Sequence, residues 1–171
     1  VAGTVAVPRN SHCFDLTGIN AKRIVVVGDI HGDLDKLRRL LVRHGIEDGG
    51  GLGIGGFGHW TAKPGTVLVQ LGDTIDRGPK DIETLLYLRS LELEAEKRDG
   101  MVVRLFGNHE LLNVLGEHKF VALESYEESL DPPPFLGLPP LQRTPRTLQE
   151  TAAARLEVFR PGSGWLAREI L

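Results

Sequence analysis

Three short apolar runs in this chain end the same way, in a glycine followed by an aspartate or an asparagine. Ile24-Val25-Val26-Val27 enters Gly28-Asp29-Ile30-His31-Gly32. Val67-Leu68-Val69-Gln70-Leu71 enters Gly72-Asp73-Thr74-Ile75-Asp76-Arg77-Gly78. Residues 101–106 enter Gly107-Asn108-His109-Glu110. Each run is rich in β-branched and aliphatic residues and short enough to be a buried strand, and a helical pattern follows each turn. The first, with four β-branched residues in succession and no polar alternation, reads as a central parallel strand. Three strand-turn-helix passes predict right-handed crossovers and a parallel sheet, so the fold class is α/β. In such sheets ligands bind at the carboxyl ends of the strands, which is where all three turns lie.

Those turns concentrate unusual chemistry. Asp73 and Asp76 repel one another unless a cation or hydrogen-bond donors compensate, and Arg77 alone can pair with only one of them. Taken together the strand ends offer Asp29, His31, Asp73, Asn108 and His109. Oxygen and imidazole donors mixed in this way suit Mn, Fe or Zn better than a thiolate-preferring metal.

GDIHG, GDTIDRG and GNHE, in this order, resemble the signature motifs of the phosphoprotein-phosphatase branch of the calcineurin-like metallophosphoesterases. Asn108 through Gly116 (NHELLNVLG) and Phe159-Arg160-Pro161-Gly162 look most like the Shewanella-like protein phosphatases. The resemblance covers roughly residues 22–171 and implies a β-sandwich flanked by helices, of which this chain supplies the first half. It implies that Asp29 and His31 hold a first metal, that Asp73 bridges two metals, and that Asn108 binds the second metal and the phosphate. By the same resemblance Arg77 grips phosphate, a task suited to its planar fork, and His109 is the general acid with Asp76 orienting it. The implied reaction is hydrolysis of a phosphate monoester by a metal-bridging hydroxide, with a phosphoprotein or a small phosphate ester as substrate. Dinucleoside-tetraphosphate hydrolases share the motifs and are the alternative. The complete pattern needs two more histidines on the second metal, and no histidine follows His118. The expectation for these 171 residues is therefore about one bound metal in place of two, and little or no activity. A catalytically inactive fragment that binds or regulates is the remaining reading.

Composition narrows the field further. The net charge of -3 gives no basic footprint for nucleic acid. A lone Cys13 excludes an internal disulfide framework, and no apolar run reaches membrane-spanning length. The expectation is a soluble chain, intracellular rather than secreted, with no oligomeric state fixed. Val1 as first residue and a helical pattern still running at Leu171 read as cut ends.

The remaining segments organise around the motifs. Residues 1–21 read as a lead-in. Asp33 is the expected N-cap of a helix whose Leu34, Leu37, Leu40 and Leu41 share one face, with Gly45 closing it and His44 on its surface. Residues 48–60 form a glycine-rich loop whose G-x-G-x-x-G at Gly51, Gly53 and Gly56 lacks the strand before and helix after that a dinucleotide site needs. Within it Trp60 is expected against the sheet edge, and His59 is a candidate to reach a substrate. Pro79 suits the first position of a helix running to about Arg98, with Ile82, Leu85, Leu86 and Leu88 on its apolar face. Six prolines among residues 131–145 mark a loop or lid. Thr147 and Glu150 form a capping-box pattern for a helix to about Phe159, and a last helix starts at Trp165.

Overall fold

The computed structural model describes residues 20–50, 58–130, 147–164 and 166–167. The lead-in, the glycine-rich 51–57, the proline-rich 131–145 and the Trp165 helix start lie wholly or almost wholly outside the described residues. In chain order the elements are β1 (Arg23–Val27), α1 (Leu34–Arg43), β2 (Thr66–Gln70), α2 (Asp81–Glu96), β3 (Met101–Arg104), α3 (Asn108–Val114), α4 (Leu123–Glu128) and α5 (Leu148–Val158). The strands form one parallel sheet in the order β1-β2-β3, with Val25 opposite Leu68 and Leu68 opposite Val102. Sequential strands are neighbours, so the three glycine-containing turns leave the same edge of the sheet side by side.

The centre of the sheet is β2, not β1. Every β2 residue except Val69 is buried, whereas Ile24 and Val26 on β1 are 61% and 57% exposed. Four β-branched residues in a row carry strand propensity, but they do not specify whether both faces are covered.

Packing divides around α2. Tyr87, Leu88, Leu91 and Ala95 join Leu37 and Leu41 of α1 and Leu68 and Val102 of the sheet in one apolar core. Ile82, Leu85 and Leu86, one turn earlier, pack with Ile75, Val158, Phe159 and Leu166 in a second. A helix covered from two sides needs more than the single stripe that a surface helix shows.

Trp60 is fully buried in the first core rather than at the rim, and its ring fills the space where a side chain at Gly100 would stand. His59 is turned to the far end of α2, 3.2 Å from Glu94 and 3.0 Å from Arg98, and does not reach the strand-end turns.

Local signals explain most helix ends. The Asp33 carboxylate accepts from the Lys36 amide at 2.9 Å, and the exposed His44 caps the other end of α1. Thr147 and Glu150 cap α5 reciprocally, the Glu150 amide donating to Thr147 Oγ1 and the Thr147 amide to the Glu150 carboxylate. Pro79 does not open α2. Lys80 is its N-cap and Asp81 its first residue, because Asp76 and Arg77 hold left-handed backbone and the chain needs residues 78–80 to turn back. The Glu128 carboxylate of α4, a helix the sequence pattern did not reveal, accepts the Ile82 and Glu83 amides at 3.0 and 3.2 Å.

Candidate active site

Asp73 is where the three turns meet. Its carbonyl accepts the amides of Ile30 and His31 at 3.0 and 3.1 Å, which docks the first turn on the second. Its Oδ1 accepts the His109 amide at 3.0 Å, which docks the third. Its own amide donates to Glu110 at 2.9 Å. Glu110 also accepts from Thr74 at 2.8 Å and from Gly107 at 2.8 Å, so one buried carboxylate satisfies three amides of two different turns.

This approach leaves no room for side chains. A Cβ at Gly72 would stand 2.6 Å from the Gly107 amide nitrogen, and Gly72 itself adopts φ +94°. The turns are also strained. His31, Asp73, Asp76 and Arg77 all take positive φ, between 52° and 69°, in a region that disfavours side-chain-bearing residues by about 1 kcal/mol or more each. Four such residues confined to two turns at one sheet edge mark a place where geometry has been held against local preference.

Two sets of side chains result. In the first, His31, Asp73 and His109 each bring a potential ligand atom to within 4.8 Å of the others. His31 Nδ1 donates to the Ile75 carbonyl at 3.0 Å, which leaves the Nε2 lone pair free to face a cation. Asp29 is exposed, with Oδ2 3.7 Å from that Nε2. Asn108 is the first residue of α3 and is exposed. A half-buried imidazole with Nδ1 anchored and Nε2 free, beside a half-buried carboxylate, fits a divalent cation.

In the second set, His109 Nδ1 donates to Asp76 Oδ2 at 2.7 Å, both groups being buried. The other Asp76 oxygen, Oδ1, accepts from Asn113 Nδ2 at 2.9 Å. Arg77 Nη2 lies 3.3 Å from His109 Nε2. A guanidinium only donates, so in this arrangement Nε2 is the accepting nitrogen. Arg77 is otherwise exposed, stacked 5.9 Å from the Phe120 ring centroid, and its backbone amide donates to the Phe120 carbonyl at 2.8 Å. Phe120 in turn packs 5.1 Å from the His109 ring. His118 stands outside the donor cluster, half-buried, with its titration pushed below the usual histidine range by burial first and by the nearby Arg155 second.

Sequence reasoning did not find Glu110, Asn113, Asp81 or Arg155 as parts of the site. Asp81 is buried, and its carboxylate accepts the Asp76 amide at 2.8 Å and Arg155 Nη2 at 2.7 Å. Burial pushes its carboxyl up to about 6, with Arg155 pulling the other way. Glu110 carried a signal, since it directly follows His109 in a turn that needs its amides capped. Arg155, in the middle of an ordinary helical pattern, carried none.

The geometry agrees with comparison to known proteins. Residues 22–153 match the Calcineurin-like phosphoesterase family. Shewanella-like protein phosphatase 2 of Arabidopsis thaliana is 36% identical over 107 residues, which is 63% of this chain and 25% of that protein. Shewanella-like protein phosphatase 1 of Plasmodium berghei is 36% identical over 99 residues, 58% of this chain and 25% of the other. The chain thus spans about a quarter of the length of the curated relatives it matches. Among solved structures, a cold-active protein-tyrosine phosphatase of a psychrophilic Shewanella species shares the fold, with a TM-score of 0.52 and 24% identity, covering 86% of this chain and 45% of that one. On the strength of these matches and of the three turns gathered at one sheet edge, this chain belongs to the calcineurin-like phosphoesterase family.

Proposed function

We propose that this chain carries the metal-binding and proton-donating part of a metal-dependent phosphatase that hydrolyses phosphate monoesters on phosphoproteins. The observation that carries the proposal is the buried Asp76–His109 pair at 2.7 Å set directly against the His31 and Asp73 donors. Asp29, His31 and Asp73 are the residues assigned to a first cation, with Asp73 shared with a second. Asn108 is assigned to the second cation and the phosphate. Bound cations supply an activated water near neutral pH and neutralise phosphate charge.

The protein's own groups do the rest. Arg77 is exposed at the mouth and not tied to any carboxylate among the described residues, so its fork can swing from His109 Nε2 to two phosphate oxygens. Once Arg77 leaves, Nε2 can hold a proton and donate it to the departing oxygen, while Asp76 stabilises the imidazolium through Nδ1. Asp76 is itself held by Asn113, so the donor does not rotate away. No serine or cysteine nucleophile is needed.

The test is phosphate release in Mn²⁺, from a phosphopeptide and from a dinucleoside tetraphosphate, by a protein that joins this chain to the remaining second-metal ligands. The proposal expects turnover of the peptide that stops on chelation. Preference for the dinucleotide, or turnover that survives chelation, contradicts it.

A further inference from the structure

Arg155 of α5 is fully buried, at 0% exposure, whereas the other arginines among the described residues reach the surface or its margin. Burying an ion costs several kcal/mol unless its partners satisfy it, and Asp81 at 2.7 Å is sufficient to balance the charge. The guanidinium nevertheless makes a second, differently directed bond. Its Nε donates to Asn113 Oδ1 at 2.8 Å, while Nη1 donates to the Ser125 carbonyl at 3.2 Å and the plane lies 4.9 Å from the Phe159 ring centroid.

The bond to Asn113 has a consequence at the site. A primary amide has one accepting and one donating end, and the two look alike in shape. With Oδ1 taken by Arg155, Nδ2 must face Asp76 Oδ1, where it donates at 2.9 Å. With Oδ1 of Asp76 so occupied, Oδ2 is left to accept from His109 Nδ1. Arg155 Nη2 also stands 3.5 Å from Asp76 Oδ1. The order is therefore Arg155, Asn113, Asp76, His109, a buried relay of orientation in which each group fixes the direction of the next.

We propose that Arg155 is a positioning residue for the Asp76–His109 pair, so that proton donation to the leaving group depends on how α5 is seated. The proposal rests on the phosphatase reading, in which His109 is the donor. It does not make Arg155 a catalytic residue, since Asn113 and Asp76 stand between it and the imidazole.

Leaving-group dependence separates positioning from general support of the fold. Phenoxide needs a proton as it departs and dinitrophenoxide does not. In Arg155→Met, hydrolysis of phenyl phosphate in Mn²⁺ should fall about 10- to 100-fold while dinitrophenyl phosphate stays within about 3-fold. Arg155→Lys keeps a charge for Asp81 but lacks the Nε fork, so it should fold and show the same selective loss. The downfield NMR resonance of the His109 Nδ1 proton, expected from its carboxylate bond, should be present in the wild type and lost in folded Arg155→Lys. Equal loss on both esters, or a folded Arg155→Lys that keeps the resonance and its phenyl phosphate rate, overturns the proposal. If a protein that joins this chain to the remaining second-metal ligands hydrolyses neither ester, the phosphatase reading fails, and the resonance alone still decides whether Arg155 orients the pair.

Discussion

Glu110 holds Asp73 by its backbone: the Glu110 carboxylate accepts the Asp73 amide at 2.9 Å while the Asp73 carboxylate accepts the amide of His109, the residue before Glu110, at 3.0 Å. The second and third turns are thereby clasped in both directions. Glu110→Ala leaves one buried and two half-buried amides without an acceptor, so it should lower unfolding free energy by about 3 kcal/mol or more, at about 1 kcal/mol or more for each unsatisfied group. Glu110→Gln keeps an oxygen and should cost less than half as much. Denaturant unfolding measures both, and an alanine variant within about 1 kcal/mol of wild type would show that the clasp contributes little.

Asp73→Asn should weaken Mn²⁺ binding far more than Asp29→Asn. Asp73 is half-buried at the meeting point of three turns, whereas the Asp29 side chain is 65% exposed at the rim. The amide lacks the charge that offsets a cation. Calorimetric titration of the two variants checks this, and equal losses would remove Asp73 from its central role.

Arg77→Lys should reduce affinity for inorganic phosphate about 10-fold and leave Mn²⁺ binding intact. Lysine retains the charge but not the two-pronged donor. Competition by phosphate against a chromogenic ester reads the first effect and metal analysis the second. Loss of metal in this variant would make Arg77 a structural partner of the carboxylates.

A pH dependence is built into α4. Burial pushes the Glu128 carboxyl up to about 7, with the Asp81 and Glu83 charges adding to the rise and the Ile82 and Glu83 amides opposing it. An acid whose folded value lies above its unfolded one binds protons more strongly in the folded state. Its ionisation therefore destabilises the fold as pH rises from about 4.5 to about 7, by up to about 3 kcal/mol. Thermal unfolding across that window should show a slope that Glu128→Gln flattens. An unchanged slope in the variant would assign the dependence to other groups.

The strands, their parallel pairing and the clustering of motif turns were legible because each leaves a local mark: a short β-branched run, a glycine where backbones touch, an Asp or Asn after it. The position of β1 was not, since Ile24-Val25-Val26-Val27 reads alike at the centre and at the edge of a sheet. Pro79 misled for a related reason. Its ring fits a first helical turn, yet the left-handed Asp76 and Arg77 delay α2 to Asp81. Within the site, donor types were readable but convergence was not. His109 joins His31 and Asp73 in space while Asn108, its neighbour in sequence, is exposed, because successive residues of α3 point in different directions. Arg155 was invisible because its partners Asn113, Asp81 and Asp76 lie 42, 74 and 79 residues away.

The account assigns His31 to the metal and His109 to the proton, although both imidazoles lie within reach of Asp73. Pulsed electron paramagnetic resonance of bound Mn²⁺ separates these roles by its coupling to imidazole nitrogen. The account predicts a nitrogen coupling in the wild-type protein that persists in His109→Ala and disappears in His31→Ala. A coupling lost in His109→Ala and kept in His31→Ala, or no bound Mn²⁺ at all, would contradict it.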